Sequence, residues 1–135
     1  MELVLDANIL FAALIRDSNI RHYLLLSQHS FFVPEFVFEE IAEHKDELRD
    51  KTTLSESQIK NLLDQIIILA HIRVIPFDDF KEWTDRALKI TPDKDDVQYF
   101  SLAMKLRCGI WSNDKQLQHQ SVIKVYTSEE IFLLS

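Results

Sequence analysis

The sequence predicts an α/β fold built on a parallel sheet, and three observations carry that reading. Short apolar runs rich in β-branched or aromatic residues alternate with longer stretches of helical periodicity. No Gly/Ser/Pro-rich linker, repeat or low-complexity stretch interrupts the alternation. Strands separated by helical crossovers favour parallel pairing, right-handed connections and a sheet covered on both faces. With 135 residues, 47% of them apolar and 27% charged, the chain has the size of one core, and a single domain over 1–135 is expected.

The strand-like runs are 3–5, 31–33, 73–75, 109–112 and 123–126. Helical patterns cover about 7–17, 20–28, 35–49, 56–71, 79–90 and 94–108, with short pieces near 115–120 and 128–134. Ser55 with Gln58 and Thr127 with Glu130 have capping-box spacing, in which two orphan amides are satisfied reciprocally. Pro34 and Pro92 precede two further helix starts. The only glycine, Gly109, follows the helix ending near Arg107 and is assigned to a left-handed C-terminal cap. The segment 56–71 carries a broad apolar stripe through Ile59, Leu62, Leu63, Ile66, Ile67, Leu69 and Ala70, assigned mostly to the core.

Composition removes several function classes. One glycine cannot build a dinucleotide-binding or phosphate-binding loop, both of which need several. One cysteine, Cys108, can form neither an intramolecular disulfide nor a zinc knuckle, which fits a reducing compartment. A formal charge of −7 requires any nucleic acid to be gripped by a local basic patch. The opening residues lack the basic start of a secretory signal, and no apolar run approaches the roughly 18 residues of a membrane span. A cytoplasmic location and no membrane partner are expected.

Ligands in open parallel sheets gather beyond the carboxyl ends of the strands. Asp6 directly follows the run 3–5, and Asp114 follows 109–112 after one residue. Glu39 and Glu40 lie on the helix after Pro34, whose packed stripe is Phe36, Val37 and Ile41. Asp93, Asp95 and Asp96 crowd a helix start, with Asp93 and Asp96 on one face. Each acid alone has an ordinary explanation, because Asp is a good N-cap and carboxylates suit the first turn of a helix. Together the explanation weakens: Asp6 stands between two apolar segments, and converging carboxylates raise one another's pKa unless a divalent ion such as Mg²⁺ or Mn²⁺ compensates.

These blocks resemble those of the PIN domain, a nuclease fold seen in VapC-type toxins and many prokaryotic and archaeal ribonucleases, and the resemblance covers essentially 1–135. Val4-Leu5-Asp6-Ala7-Asn8 resembles the strand-ending aspartate block, with Asp6 as metal ligand and Asn8 as its hydrogen-bonding companion. Pro34 to Ile41 resembles the second block and favours Glu40 over Glu39. Asp93 to Ala103 resembles the third and selects Asp96, with Asp93 in reserve. Ile110 to Leu117 resembles the closing block, giving Ser112 and Asp114. The third block is unusually acidic, and Trp111 is bulky for its strand. The resemblance implies a three-layer α/β/α sandwich with a central parallel five-stranded sheet. It also implies Mg²⁺- or Mn²⁺-dependent endoribonuclease activity, an RNA substrate, a homodimer and, if the protein is a toxin, an antitoxin partner. The alternative is a catalytically weak or inactive PIN-like module for nucleic-acid or protein interaction.

Lys94 and Lys115, inside the third and fourth blocks, are the first candidates for gripping nucleic acid, followed by Arg16 and Lys45. Among the histidines only His44 is suggestively placed, four residues after Glu40, although its charged neighbours point to a solvated helix end. His22, His29, His71 and His119 have no partner at zinc-type spacing.

Overall fold

A computed structural model describes residues 1–15 and 18–134. Five strands, β1 (Glu2–Leu5), β2 (Ser30–Pro34), β3 (Arg73–Ile75), β4 (Gly109–Trp111) and β5 (Val125–Tyr126), form one sheet in the order β3-β2-β1-β4-β5. Every pairing is parallel. The helices are α1 (Ala7–Leu14), α2 (Asn19–Leu26), α3 (Val37–Glu43), α4 (Lys45–Lys51), α5 (Glu56–Leu69), α6 (Thr84–Leu88), α7 (Val97–Leu106) and α8 (Ser128–Leu133). The sheet is the middle layer: α7 lies on β1, β2 and β4 and packs on α6, while α1, α2, α3 and α5 pack on one another. Leu3, Val4, Leu5, Phe31, Val33, Ile110 and Trp111 supply the buried centre of the sheet, as expected of strands covered on both faces.

The order places a switch point between β1 and β4, where the chain stops winding in one direction and begins in the other. In register, Leu5 stands opposite Trp111, so Asp6 and Ser112 leave the sheet side by side at its carboxyl edge.

Most expected elements form, with four corrections. The helix expected over 35–49 is two, because His44 takes φ −106° and ψ 19° and breaks the ladder between α3 and α4. The segment 79–90 is not one helix: 3₁₀ turns, Phe77–Asp79 and Lys81–Trp83, precede the short α6. The piece near 115–120 is a 3₁₀ turn, Lys115–Gln118. Gly109 is not the left-handed cap. Arg107 takes that conformation, with φ 54°, and its N–H caps the end of α7. Gly109 opens β4, where a Cβ would come within 2.7 Å of the Tyr126 ring and 2.9 Å of the Lys124 carbonyl. The glycine is demanded by close approach of β5, not by backbone sign. Both capping boxes form, at Ser55 and Thr127. On α5, Ile59, Leu63 and Ile66 are buried, while Ile68 and Leu69 are exposed.

Candidate functional site

Asp6 is where the apolar strand β1 becomes the apolar helix α1, and it is 4% exposed. Its side chain does two jobs. Oδ1 accepts the Ile9 amide at 3.0 Å and so caps α1. Oδ2 accepts the hydroxyl of Ser112, which is fully buried beyond β4. The same Ser112 oxygen accepts the Asp114 amide at 3.0 Å, so one hydroxyl links the acids that follow β1 and β4. Asp114 in turn caps the next turn by accepting the Gln116 amide at 3.0 Å.

Glu40 projects from α3 half-buried, and its Oε1 accepts the hydroxyl of Tyr99 from α7. Asp96 precedes α7, yet its carboxylate makes no capping hydrogen bond. The capping role in this acidic stretch falls to Asp93, which accepts the Asp95 amide at 3.0 Å. The ordinary explanation therefore accounts for Asp93 and leaves Asp96 without one. Glu39 is exposed and lines a groove shared with Phe36, Phe77 and Gln98.

The electrostatics join the acids into one site. Burial pushes the Asp6 carboxyl up to about 6; hydrogen bonds from Ser112 and Ile9 act against it, and the charges of Asp114 and Glu40 reinforce it. Burial, then repulsion from Asp93, Glu40, Asp6 and Asp114, pushes Asp96 up to about 7. Glu40 is also raised, chiefly by burial, although the Tyr99 hydroxyl opposes the rise. Burial and the neighbouring carboxylates hold the Tyr99 phenol far above its ordinary range, so it remains a donor. Among the described residues, the ion pairs of Lys and Arg all lie elsewhere, and none reaches Asp6, Glu40, Asp96 or Asp114.

An all-oxygen donor set with uncompensated negative charge matches hard divalent cations in chemistry. Among the described residues, no three His, Cys, Asp or Glu side chains are grouped closely enough to hold a metal ion directly. Mg²⁺ does not need such a group, because it keeps several waters and is commonly bound through one or two carboxylates. The residues therefore fit such an ion held largely through water.

The remaining candidates lie around this core. Asn8 is exposed on α1; the partners of the Asp6 carboxylate are Ile9 and Ser112 rather than Asn8. Lys94 and Lys115 are exposed beside Asp95 and Asp114. Lys45 faces Glu56 at 3.9 Å, and Arg16 lies outside the described residues. His44 turns to Glu47 at 3.5 Å and packs its ring edge-on against Phe11. Tyr99 is the participant that the sequence reading passed over. A buried tyrosine on an apolar helix face reads as core, although its hydroxyl always calls for a partner.

A family model described as PIN domain matches residues 4–132. No curated protein matches the sequence. Among solved structures, the chain is similar to one in the crystal structure of VapBC2 from Rickettsia felis bound to a DNA fragment from their promoter. That similarity has a TM-score of 0.64 at 17% identity and covers 94% of this chain and 98% of the other. At that identity the likeness speaks to the fold. Among the described residues, no helix is long and apolar enough to cross a membrane.

Proposed function

The chain belongs to the PIN domain family, and from that premise we propose that it is a single-domain, divalent-metal-dependent endoribonuclease acting in the cytoplasm. The observation that carries this reading is the convergence of Asp6, Glu40, Asp96 and Asp114 beyond the carboxyl ends of the strands, with two carboxyls strongly raised and, among the described residues, no basic residue paired to them. Asp6, Asp96 and Asp114 would hold Mg²⁺ or Mn²⁺ directly or through water, and Asp93 is the reserve ligand. Such an ion supplies charge neutralisation at the phosphate oxygens and activation of water.

The chain's own residues do the rest. Ser112 and the Ile9 amide fix the Asp6 carboxylate in one orientation before any substrate arrives. Glu40, with its raised carboxyl, is suited to orient the attacking water and take its proton, or to help hold a second ion. Asn8, exposed two residues after Asp6, is assigned to ordering water at the site. Lys94 and Lys115 contact the RNA backbone as local cations in an acidic chain, with Lys45 and Arg16 as the further candidates from the sequence.

The likeness to a VapBC2 chain supports the narrower form of the proposal, a VapC-type toxin with an antitoxin partner. Exposed Ile68 and Leu69 on α5 offer a second copy an apolar contact for a homodimer. The other reading, a PIN-like interaction module without activity, is favoured by one observation: among the described residues no three His, Cys, Asp or Glu side chains are grouped to hold a metal ion directly.

Incubation of labelled single-stranded and structured RNAs with Mn²⁺, Mg²⁺ or EDTA separates the two. Cleavage that requires metal and is lost in both Asp6→Asn and Asp96→Asn is the expected result. Intact RNA throughout, with all three proteins folded, would favour the interaction module.

A further inference from the structure

We infer that Tyr99 is a positioning residue whose hydroxyl aims the Glu40 carboxylate into the acidic site. The inference rests on the metal-dependent reading above and adds a residue to it. Tyr99 lies three positions after Asp96, on the first turn of α7, and its side chain is 1% exposed. Its ring packs in the core and meets Phe36, at the start of α3, with centroids 6.4 Å apart. Phenylalanine would satisfy that packing equally well. The hydroxyl is surplus to it, and donates to Oε1 of Glu40, 59 residues away in sequence.

This one bond joins α3 to α7, the two helices that bring Glu40 and Asp96 to the site. It occupies one carboxylate oxygen of Glu40 and leaves Oε2 without a hydrogen-bond partner among the described residues. A glutamate side chain has three rotatable bonds and little reason to remain beside other carboxylates. Repulsion from Glu43 and Asp95 acts on it, offset in part by attraction to His44, and the Tyr99 donor is the one hydrogen bond that fixes its direction among the described residues. Residues that orient metal-binding carboxylates in this way typically contribute about 10-fold or more to metal affinity when intact.

The test is a double-mutant cycle read by Mn²⁺ titration calorimetry on the wild type, Tyr99→Phe, Glu40→Gln and the double variant, with circular dichroism confirming each fold. Tyr99→Phe keeps the buried ring, and Glu40→Gln keeps an acceptor for the phenol. The expected result is about a 10-fold weaker Mn²⁺ affinity in Tyr99→Phe and no further change when that substitution is added to Glu40→Gln. Where RNA is cleaved, raising Mn²⁺ should restore the rate of Tyr99→Phe. Wild-type affinity in Tyr99→Phe, or the same factor lost in the Glu40→Gln background, would overturn the positioning role while leaving the metal site standing. A wild type that binds no Mn²⁺ would overturn both.

Discussion

The hydroxyl of Ser112 donates to the buried carboxylate of Asp6, joining the residue beyond β4 to the residue beyond β1 across the switch point of the sheet. This bond makes a specific demand on stability. Ser112→Ala removes a donor from a buried carboxylate and an acceptor from the Asp114 amide. A loss of about 2 kcal/mol is expected near pH 8, where Asp6 is ionised, and a smaller loss near pH 4. Urea unfolding at the two pH values checks both the size and the ordering.

The raised carboxyls set the pH dependence of the metal-free protein. Asp6 moves from 3.8 to about 6 and Asp96 from 3.8 to about 7. Below about pH 3 both are protonated in the folded and unfolded chain and impose no penalty. Between about 4 and 7 the unfolded chain gives up protons that the folded chain retains, so these groups make stability fall as pH rises. For buried Asp6 the full penalty is about 3 kcal/mol above pH 7. Asp6→Asn should therefore be more stable than the wild type at pH 8 in EDTA, and the gain should shrink as pH falls and vanish near pH 3.

The same penalty makes the protein responsive to metal. Saturating Mn²⁺ should raise the melting temperature of the wild type at pH 8 and much less at pH 5, where protons compete for the carboxylates. Thermal melts of Asp96→Asn should show little response at either pH. Asp93→Ala removes the cap on the Asp95 amide and also the repulsion that Asp93 exerts on Asp96, so the metal response should persist and shift to lower pH if Asp96 is the ligand, and be lost if Asp93 is.

Two neighbouring positions should respond oppositely. Gly109→Ala places a methyl group against the Tyr126 ring and the Lys124 carbonyl and should cost about 1–3 kcal/mol. Arg107→Gly relieves a left-handed non-glycine residue and should be neutral or stabilising by about 1 kcal/mol. Chemical denaturation of the two variants compares them directly.

These two positions also show where sequence reasoning reaches its limit. A lone glycine after a helix is a sound signal for a left-handed cap, but the chain accepts the strain at Arg107 and, after α5, at His71. It reserves its glycine for the contact between β4 and β5, which only the folded sheet reveals. Strands such as 3–5 and 31–33 were legible because burial on both faces writes an unbroken apolar run. The break at His44 and the 3₁₀ turns over 77–83 were not, since local pattern there continues as helix and packing interrupts it. Within the candidate site, Asp6 and Asp114 stood out by their places after strands, whereas helix position alone left Asp93, Asp95 and Asp96 open and only the resemblance to the third block selected Asp96. Tyr99 did not stand out, because the bond that distinguishes it from a core phenylalanine reaches a helix far away in sequence.

The central claim is that the four carboxylates form one cation site at the switch point. Anomalous diffraction from crystals of the wild type grown with Mn²⁺, compared with Asp96→Asn, tests it most directly. The expected result is a Mn²⁺ peak bounded by Asp6 and Asp96 that disappears in the variant. Well-ordered carboxylates with no peak among them at saturating Mn²⁺, or a peak only elsewhere on the surface, would contradict it.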